Sequence, residues 1–130
     1  MIQFHLDQRS GLSPYLQLVR QVRQALRLGL LREGDQLPTV KEVVALLAIN
    51  PNTVLKAYRE LEHEGLVAAR PGIGTFVTAT LIDASLAAHG PLRQELRRWL
   101  IKARNAGMDD ESIEALFMTT FRTAVQEDIA

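Results

Sequence analysis

The stretch Asn50-Pro51-Asn52-Thr53-Val54-Leu55-Lys56-Ala57-Tyr58-Arg59-Glu60-Leu61-Glu62-His63-Glu64-Gly65 decides the fold. Asn50-Pro51-Asn52 interrupts whatever precedes it. Val54, Ala57, Tyr58 and Leu61 then recur at helical spacing until Gly65 supplies a C-terminal cap. On the wheel of that helix Asn52, Lys56, Arg59 and His63 fall together opposite the apolar stripe, with Thr53 beside them near the start. An apolar side seats such a helix on its domain, and polar side chains on the other side project outward. In a major groove, Asn and Lys reach base edges, Thr reaches a phosphate or a thymine methyl, and the helix N-terminus favours a phosphate. Glu60, Glu62 and Glu64 gather at the far end, so such contact is expected from the first two turns. The same pattern also arises where Asn52 and Thr53 only cap the helix and Lys56 and Arg59 only face water. Spacing alone leaves both readings open.

Working outward, Ser13-Pro14 reads as an N-cap followed by proline at the first helical position. Tyr15, Leu18, Val19, Val22 and Leu26 form the stripe of that first helix, and Gly29 marks its end. Gln17, Arg20, Gln21, Gln24 and Arg27 are expected on its solvated face. Glu33-Gly34-Asp35 is a turn signal and Leu37-Pro38 restarts the chain. Thr39 then caps a short helix with the stripe Val40, Val43, Val44 and Leu47. Beyond Gly65, Leu66 to Arg70 and Thr75 to Thr78 flank Pro71-Gly72-Ile73-Gly74, which predicts a hairpin. Helix, helix, turn, helix, hairpin is the order of a winged helix-turn-helix, here assigned to residues 1–80. A Pro-Gly-x-Gly turn is in most proteins only a turn, and a lone surface lysine such as Lys41 usually does nothing specific.

Residues 81–130 read as a helical dimerisation or effector tail, so the chain as a whole is mainly α with a small β-hairpin. His89-Gly90-Pro91 is expected to separate a short apolar segment from a longer helix carrying Leu92, Leu96, Trp99, Leu100 and Ala103 on one face. Gly107 ends that helix. Asp109 caps the last one, with Met108 and Ile113 as a hydrophobic staple across its first turn. Its stripe is Ile113, Leu116, Phe117, Thr120, Phe121 and Ala124. Paired with each other, the two helices would bury one stripe each and leave Ile101, Met118 and Val125 exposed. That favours a second copy as partner over packing back onto the winged domain through Leu81, Ile82 and Leu86. The dimer surface is assigned to Leu96, Trp99, Leu100, Leu116, Phe117 and Phe121.

Composition narrows the chemistry. The chain of 130 residues has room for one domain and a short appendage, and it has no cysteine, which removes disulfides and thiol chemistry. Its three histidines are scattered, so no metal site is expected. Asp109-Asp110-Glu111 opens a helix, where acids complement the dipole. No catalytic set and no cofactor motif is found. The N-terminus lacks a signal-peptide pattern, and no apolar run approaches the roughly 20 residues that span a bilayer. A soluble, cytoplasmic protein without a membrane partner is expected. Net charge is zero, which argues mildly against nucleic acid. Residues 1–80 hold nine Lys/Arg against seven Asp/Glu, and residues 81–130 hold six against eight. A neutral balance keeps a second reading alive, a winged domain used as a protein-interaction module with no specific DNA site.

The stretch from Pro14 to Val77 resembles the DNA-binding domain of the GntR family of bacterial regulators. The matching strings are Pro14-Tyr15, Gly34-Asp35-Gln36-Leu37-Pro38-Thr39-Val40-Lys41-Glu42, Asn50-Pro51-Asn52-Thr53-Val54, Lys56-Ala57-Tyr58, Leu61-Glu62-x-Glu64-Gly65-Leu66 and Pro71-Gly72-x-Gly74-Thr75-Phe76-Val77. The Asn-Pro-Asn-Thr-Val form and the short tail resemble the YtrA-type subfamily. The resemblance implies that Thr39 and Lys41, the helix start at Pro51, Asn52 and Thr53, Lys56, and the wing from Arg70 through Gly72 to Gly74 touch double-stranded DNA. It further implies a homodimer on a palindromic operator, a repressor's role, and a wing tip near the minor groove; Tyr58 should be core. Two positions depart from the pattern. Lys41 stands where many relatives have arginine, which weakens bidentate guanine readout. Ile73 stands where a basic residue is frequent. A small-molecule effector is open, and the residues identify none; about fifty tail residues are too few for an enclosed pocket within one subunit.

Overall fold

Pro14 occupies the first position of α1 (Pro14–Arg27), where its missing N–H sacrifices no hydrogen bond. This helix opens a computed structural model that describes residues 2–81 and 86–129. Ser13 adopts the extended N-cap backbone, φ −62 and ψ 155, without a side-chain cap bond. Leu18, Val19, Val22 and Leu26 of the predicted stripe are buried. Gln17 corrects the reading of the opposite face: it is 8 % exposed. Its Nε2 donates to the carbonyls of Asp7 and Leu12, both at 3.0 Å, and its Oε1 accepts from Asp7 N at 2.8 Å. Gln21, one turn on, exchanges the same pair of bonds with His5 at 3.1 and 2.8 Å. Two amides one helical turn apart thus act as a neighbouring strand for alternate residues of the extended lead, because a helical turn and two extended residues have similar rises.

Thr39 starts α2 (Val40–Leu47) with a complete capping box: Glu42 N donates to Thr39 Oγ1 at 3.1 Å, and the Glu42 carboxylate accepts from Thr39 N. Ala48 closes the helix in the left-handed region, φ 54. α3 (Pro51–His63) follows. α1 and α2 both pack on α3, and Val43, Val54, Ala57 and Leu61 join Leu18, Leu26, Leu31 and Leu37 in one core. Tyr58 is buried there, and its hydroxyl donates to the carbonyl of Pro38, just ahead of α2. That bond holds the two helices of the helix-turn-helix in register. Burial pushes the Tyr58 phenol above its ordinary range, with the Glu42 carboxylate adding to the shift.

The hairpin is β1 (Val67–Arg70) against β2 (Gly74–Val77), antiparallel with Val67 opposite Val77 and Arg70 opposite Gly74. The segment just ahead of α2 pairs with the free edge of β2 through an isolated bridge, Gln36 opposite Phe76. Leu37 N donates to Thr75 O and Val77 N to Asp35 O, each at 2.8 Å, while Gly34 N donates to Val77 O at 2.9 Å. Val67 and Val77 point from this ladder into the core.

The chain divides into two compact units, Met1–Leu86 and Ala87–Ala130. The second consists of α4 (Leu86–Asn105) and α5 (Asp110–Ile129). Contrary to the sequence reading, α4 runs unbroken through Gly90 and Pro91. Proline here forfeits one backbone hydrogen bond near the helix start, and the flanking turns continue across it. Gly107 has φ 92, and Met108 N reaches back to Ala103 O at 3.2 Å, the pattern of a Schellman closure. Asp109 caps α5 by accepting from Ser112 N at 2.8 Å. Hydrogen bonds from the Ser112 side chain and amide hold its carboxyl below the usual range. The predicted stripes are not buried by the pairing of these helices. Among the described residues of this unit only Ala103 and Ile113 are buried, next to the turn, while Leu92 is 58 % and Phe121 56 % exposed. Ile101, Met118 and Val125 are exposed as well. No described helix is long and apolar enough to cross a membrane.

Candidate nucleic-acid interface

The start of α3 is capped by Asn50, whose Oδ1 accepts from Asn52 N at 2.8 Å, with Pro51 in the first turn. Capping is therefore not the task of the Asn52 side chain, which is exposed beside the half-buried Thr53. Lys56, Arg59 and His63 continue the exposed face toward the C-terminus. Lys56 carries a contact that the sequence did not announce: its ammonium lies 3.9 Å from the centroid of the Tyr15 ring on α1. This cation–π contact draws a flexible lysine against the junction of α1 and α3. The signal was invisible because it joins residues far apart in the chain.

The acids at the far end of α3 are largely occupied within the protein. Glu62 Oε2 accepts from Ala69 N at 2.9 Å and so fastens the wing to the helix. Glu64 forms an ion pair with Arg23 of α1. The Glu64 charge is thereby partly compensated, which softens the negative end of α3.

Thr39 and Lys41 lie at the first turn of α2. The Thr39 hydroxyl both accepts from Glu42 N and donates to Glu42 Oε1 at 3.0 Å, so it is committed to the cap. Lys41 is exposed. In the wing, the Arg70 guanidinium stacks 4.6 Å from the Phe76 ring centroid, diagonally across the hairpin and two residue pairs along the ladder. Gly72 has φ 76 and Gly74 φ 149. A Cβ at Gly74 would press on the end of the Gln36 side chain, which can give way, so the requirement for glycine there is chiefly conformational.

In the second unit, Leu96, Trp99 and Leu100 of α4 face Leu116, Phe117 and Phe121 of α5 across two clefts of about 380 and 310 Å³. Phe117 and Leu96 border both. The Phe117 and Phe121 rings stack at 6.2 Å with 11° between planes, still leaving both rings partly in solvent. Trp99 is half-buried. The residues assigned to a dimer surface thus form an apolar lining that one copy of the chain leaves open.

Comparison with known proteins gives this geometry a family. The family model described as bacterial regulatory proteins, gntR family, matches residues 14–77. The HTH-type transcriptional repressor YtrA of Bacillus subtilis (strain 168) is 34% identical over 112 residues, covering 83% of this chain and 84% of that protein. The structure of YtrA from Sulfolobus acidocaldarius, a GntR-family transcription factor, covers 98% of this chain and all of its own (100%), with a TM-score of 0.55 and 26% identity. The DNA-binding domain of AraR in complex with operator ORX1 matches 60% of this chain and 93% of that one, with a TM-score of 0.50 and 26% identity. The chain belongs to the gntR family of bacterial regulatory proteins, as a DNA-binding transcription regulator of the YtrA type.

Proposed function

We propose that this chain is a homodimeric repressor that places α3 of each copy in the major groove of an inverted-repeat operator. The observation that carries the reading is the exposed face Asn52, Lys56 and Arg59 on a helix whose capping is done by Asn50. Asn52 and Lys56 are the base-reading candidates, and Thr53, Arg59, Lys41 and the helix N-terminus are phosphate candidates. The wing from Arg70 to Gly74 supplies a second contact. Relatives support it: one is a transcriptional repressor, and another is a DNA-binding domain in complex with an operator.

A second copy is the occupant we assign to the apolar lining of α4 and α5. Leu96, Leu100, Leu116, Phe117 and Phe121 are exposed in a single chain, an arrangement that self-association relieves. Two winged heads then address two half-sites about one helical turn apart. Repression is steric, by occupancy of promoter DNA, in the cytoplasm and without catalysis or a cofactor. A small effector, where one acts, is expected between copies, where it alters the spacing or rigidity of the heads.

The test is binding to the duplex that the chain itself enriches from a random DNA pool. Asn52→Ala with Lys56→Ala should keep the fold and weaken binding by at least about 2 kcal/mol, because one good base contact contributes roughly 1–3 kcal/mol. Failure to enrich any sequence, or unchanged affinity of the double variant, would contradict the reading and favour a protein-interaction module.

A further inference from the structure

The Lys56 ammonium lies 3.9 Å from the centroid of the Tyr15 ring, and the two partners differ in freedom. Tyr15 is the second residue of α1, behind Pro14, and its half-buried ring packs against the core of the winged unit. Lys56 extends from the exposed face of α3 on a flexible four-carbon stem. The ring is thus the fixed platform, and the lysine is the member it holds. Eight residues further along each helix, Arg23 of α1 pairs with Glu64 at the end of α3, so the two helices are joined at two levels. The joints differ in their electrostatics. The Glu64 carboxylate offsets the Arg23 charge, whereas the aromatic ring orients the Lys56 charge and leaves it uncancelled. In a chain of zero net charge, that keeps a positive group in place on the outward face of α3.

From this geometry we infer that Tyr15 is a positioning residue for operator recognition: its ring holds the Lys56 ammonium on the α1 side of α3 and so sets which base pair the lysine reads. The inference rests on the DNA-binding reading of α3. A free lysine side chain samples many rotamers and must give them up when it meets one base edge. Tyr15 removes part of that freedom before DNA arrives, and preorganisation of this kind raises affinity without adding a contact. The preference conferred by an exposed cation–π contact amounts to about 2- to 5-fold. The ring covers one side of the ammonium, and the N–H donors on its other side remain for the O6 and N7 acceptors of a guanine. Lys56 therefore reads its base with the Tyr15 ring behind it, and the Tyr15 hydroxyl takes no part.

The experiment uses the full chain and the duplex that it enriches from a random pool, with each half-site base pair replaced in turn. Lys56→Ala should relax the base preference at one position of the half-site. Tyr15→Leu should bind the enriched duplex about 2- to 5-fold more weakly, relax the preference at that same position, and cause no further loss in the Lys56→Ala background. Tyr15→Phe, which keeps the ring, should bind as the parent does. Replacing Tyr15 by pentafluorophenylalanine keeps the shape of the ring and reverses its quadrupole, so it should match Tyr15→Leu even where leucine disturbs the fold. Equal losses from Tyr15→Leu and from the fluorinated ring with and without Lys56 would overturn the inference and leave Tyr15 a structural residue. So would a loss in Tyr15→Phe as large as in Tyr15→Leu, which would assign the role to the hydroxyl. If Tyr15→Leu binds as the parent does while Asn52→Ala with Lys56→Ala binds weakly, the inference is overturned alone. If that double variant also binds as the parent does, the reading of α3 falls with it.

Discussion

Replacing Tyr58 by phenylalanine isolates the bond that holds the helix-turn-helix together. The ring and its packing in the core remain, so no cavity opens; only the hydroxyl that donates to the Pro38 carbonyl is lost. Pro38 is buried, and its carbonyl would be left without that donor. An unsatisfied buried acceptor costs roughly 1–3 kcal/mol, and release from burying the hydroxyl offsets part of this, so a loss of about 1.5 kcal/mol is expected. For a domain of this size each kcal/mol lowers the melting temperature by roughly 4–8 °C. Tyr58→Ala, which also removes the ring, should cost about 3–5 kcal/mol.

The pH dependence supplies an independent check. The Tyr58 phenol is raised in the folded state by burial first and by Glu42 second. Its stabilising contribution is therefore complete below the unfolded value near 10 and is lost as pH rises from there toward the folded value. Above pH 10 the parent should lose about 1.4 kcal/mol per pH unit from this group, a loss that Tyr58→Phe does not share. The gap between the two proteins should close in that window. Urea denaturation at pH 7 and at several values from pH 9.5 to 11 measures both effects. A difference under about 0.3 kcal/mol at pH 7, or a gap constant through pH 11, would refute the assignment.

Other perturbations test other joints. Gly74→Ala forces φ 149 on a residue with a Cβ and drives that Cβ against Gln36 Nε2. The backbone part should dominate, at about 1–3 kcal/mol, because Gln36 is flexible and can swing away; in a Gln36→Ala background the cost should fall by only about 0.5 kcal/mol. An equal midpoint for Gly74→Ala and parent in urea would show that the wing turn is not constrained as described. Leu116→Glu with Phe117→Glu places charges in the apolar clefts between α4 and α5, and light scattering should then report the monomer mass of 14.5 kDa. A dimer that persists would locate the interface elsewhere.

The residues disclosed the winged unit more fully than the tail. Local signals sufficed where structure is local: Thr39 as the cap of α2, the stripe of α3, and the glycines of the wing turn. What escaped were pairings across the sequence. Gln17 and Gln21 read as solvated because periodicity ranks a helix face by its own composition, yet the extended lead covers that flank. Glu33-Gly34-Asp35 reads as a turn, and the pairing that follows it is hidden because the partner, β2, lies some forty residues on. The partner of Lys56 is Tyr15, on another helix. In the tail, Gly90-Pro91 reads as a break because both residues disfavour helix, but neither abolishes more than a local bond. Helical periodicity marks apolar stripes on α4 and α5 but says nothing of how far two helices splay, so it does not reveal how little of the stripes one chain covers.

Fluorescence anisotropy of the full chain on the duplex enriched from a random pool, against a scrambled duplex and across a salt series, tests the central claim most directly. The account predicts preferential binding by about a thousandfold, with affinity falling as salt rises. Equal, weak binding to both duplexes at every salt concentration would contradict it.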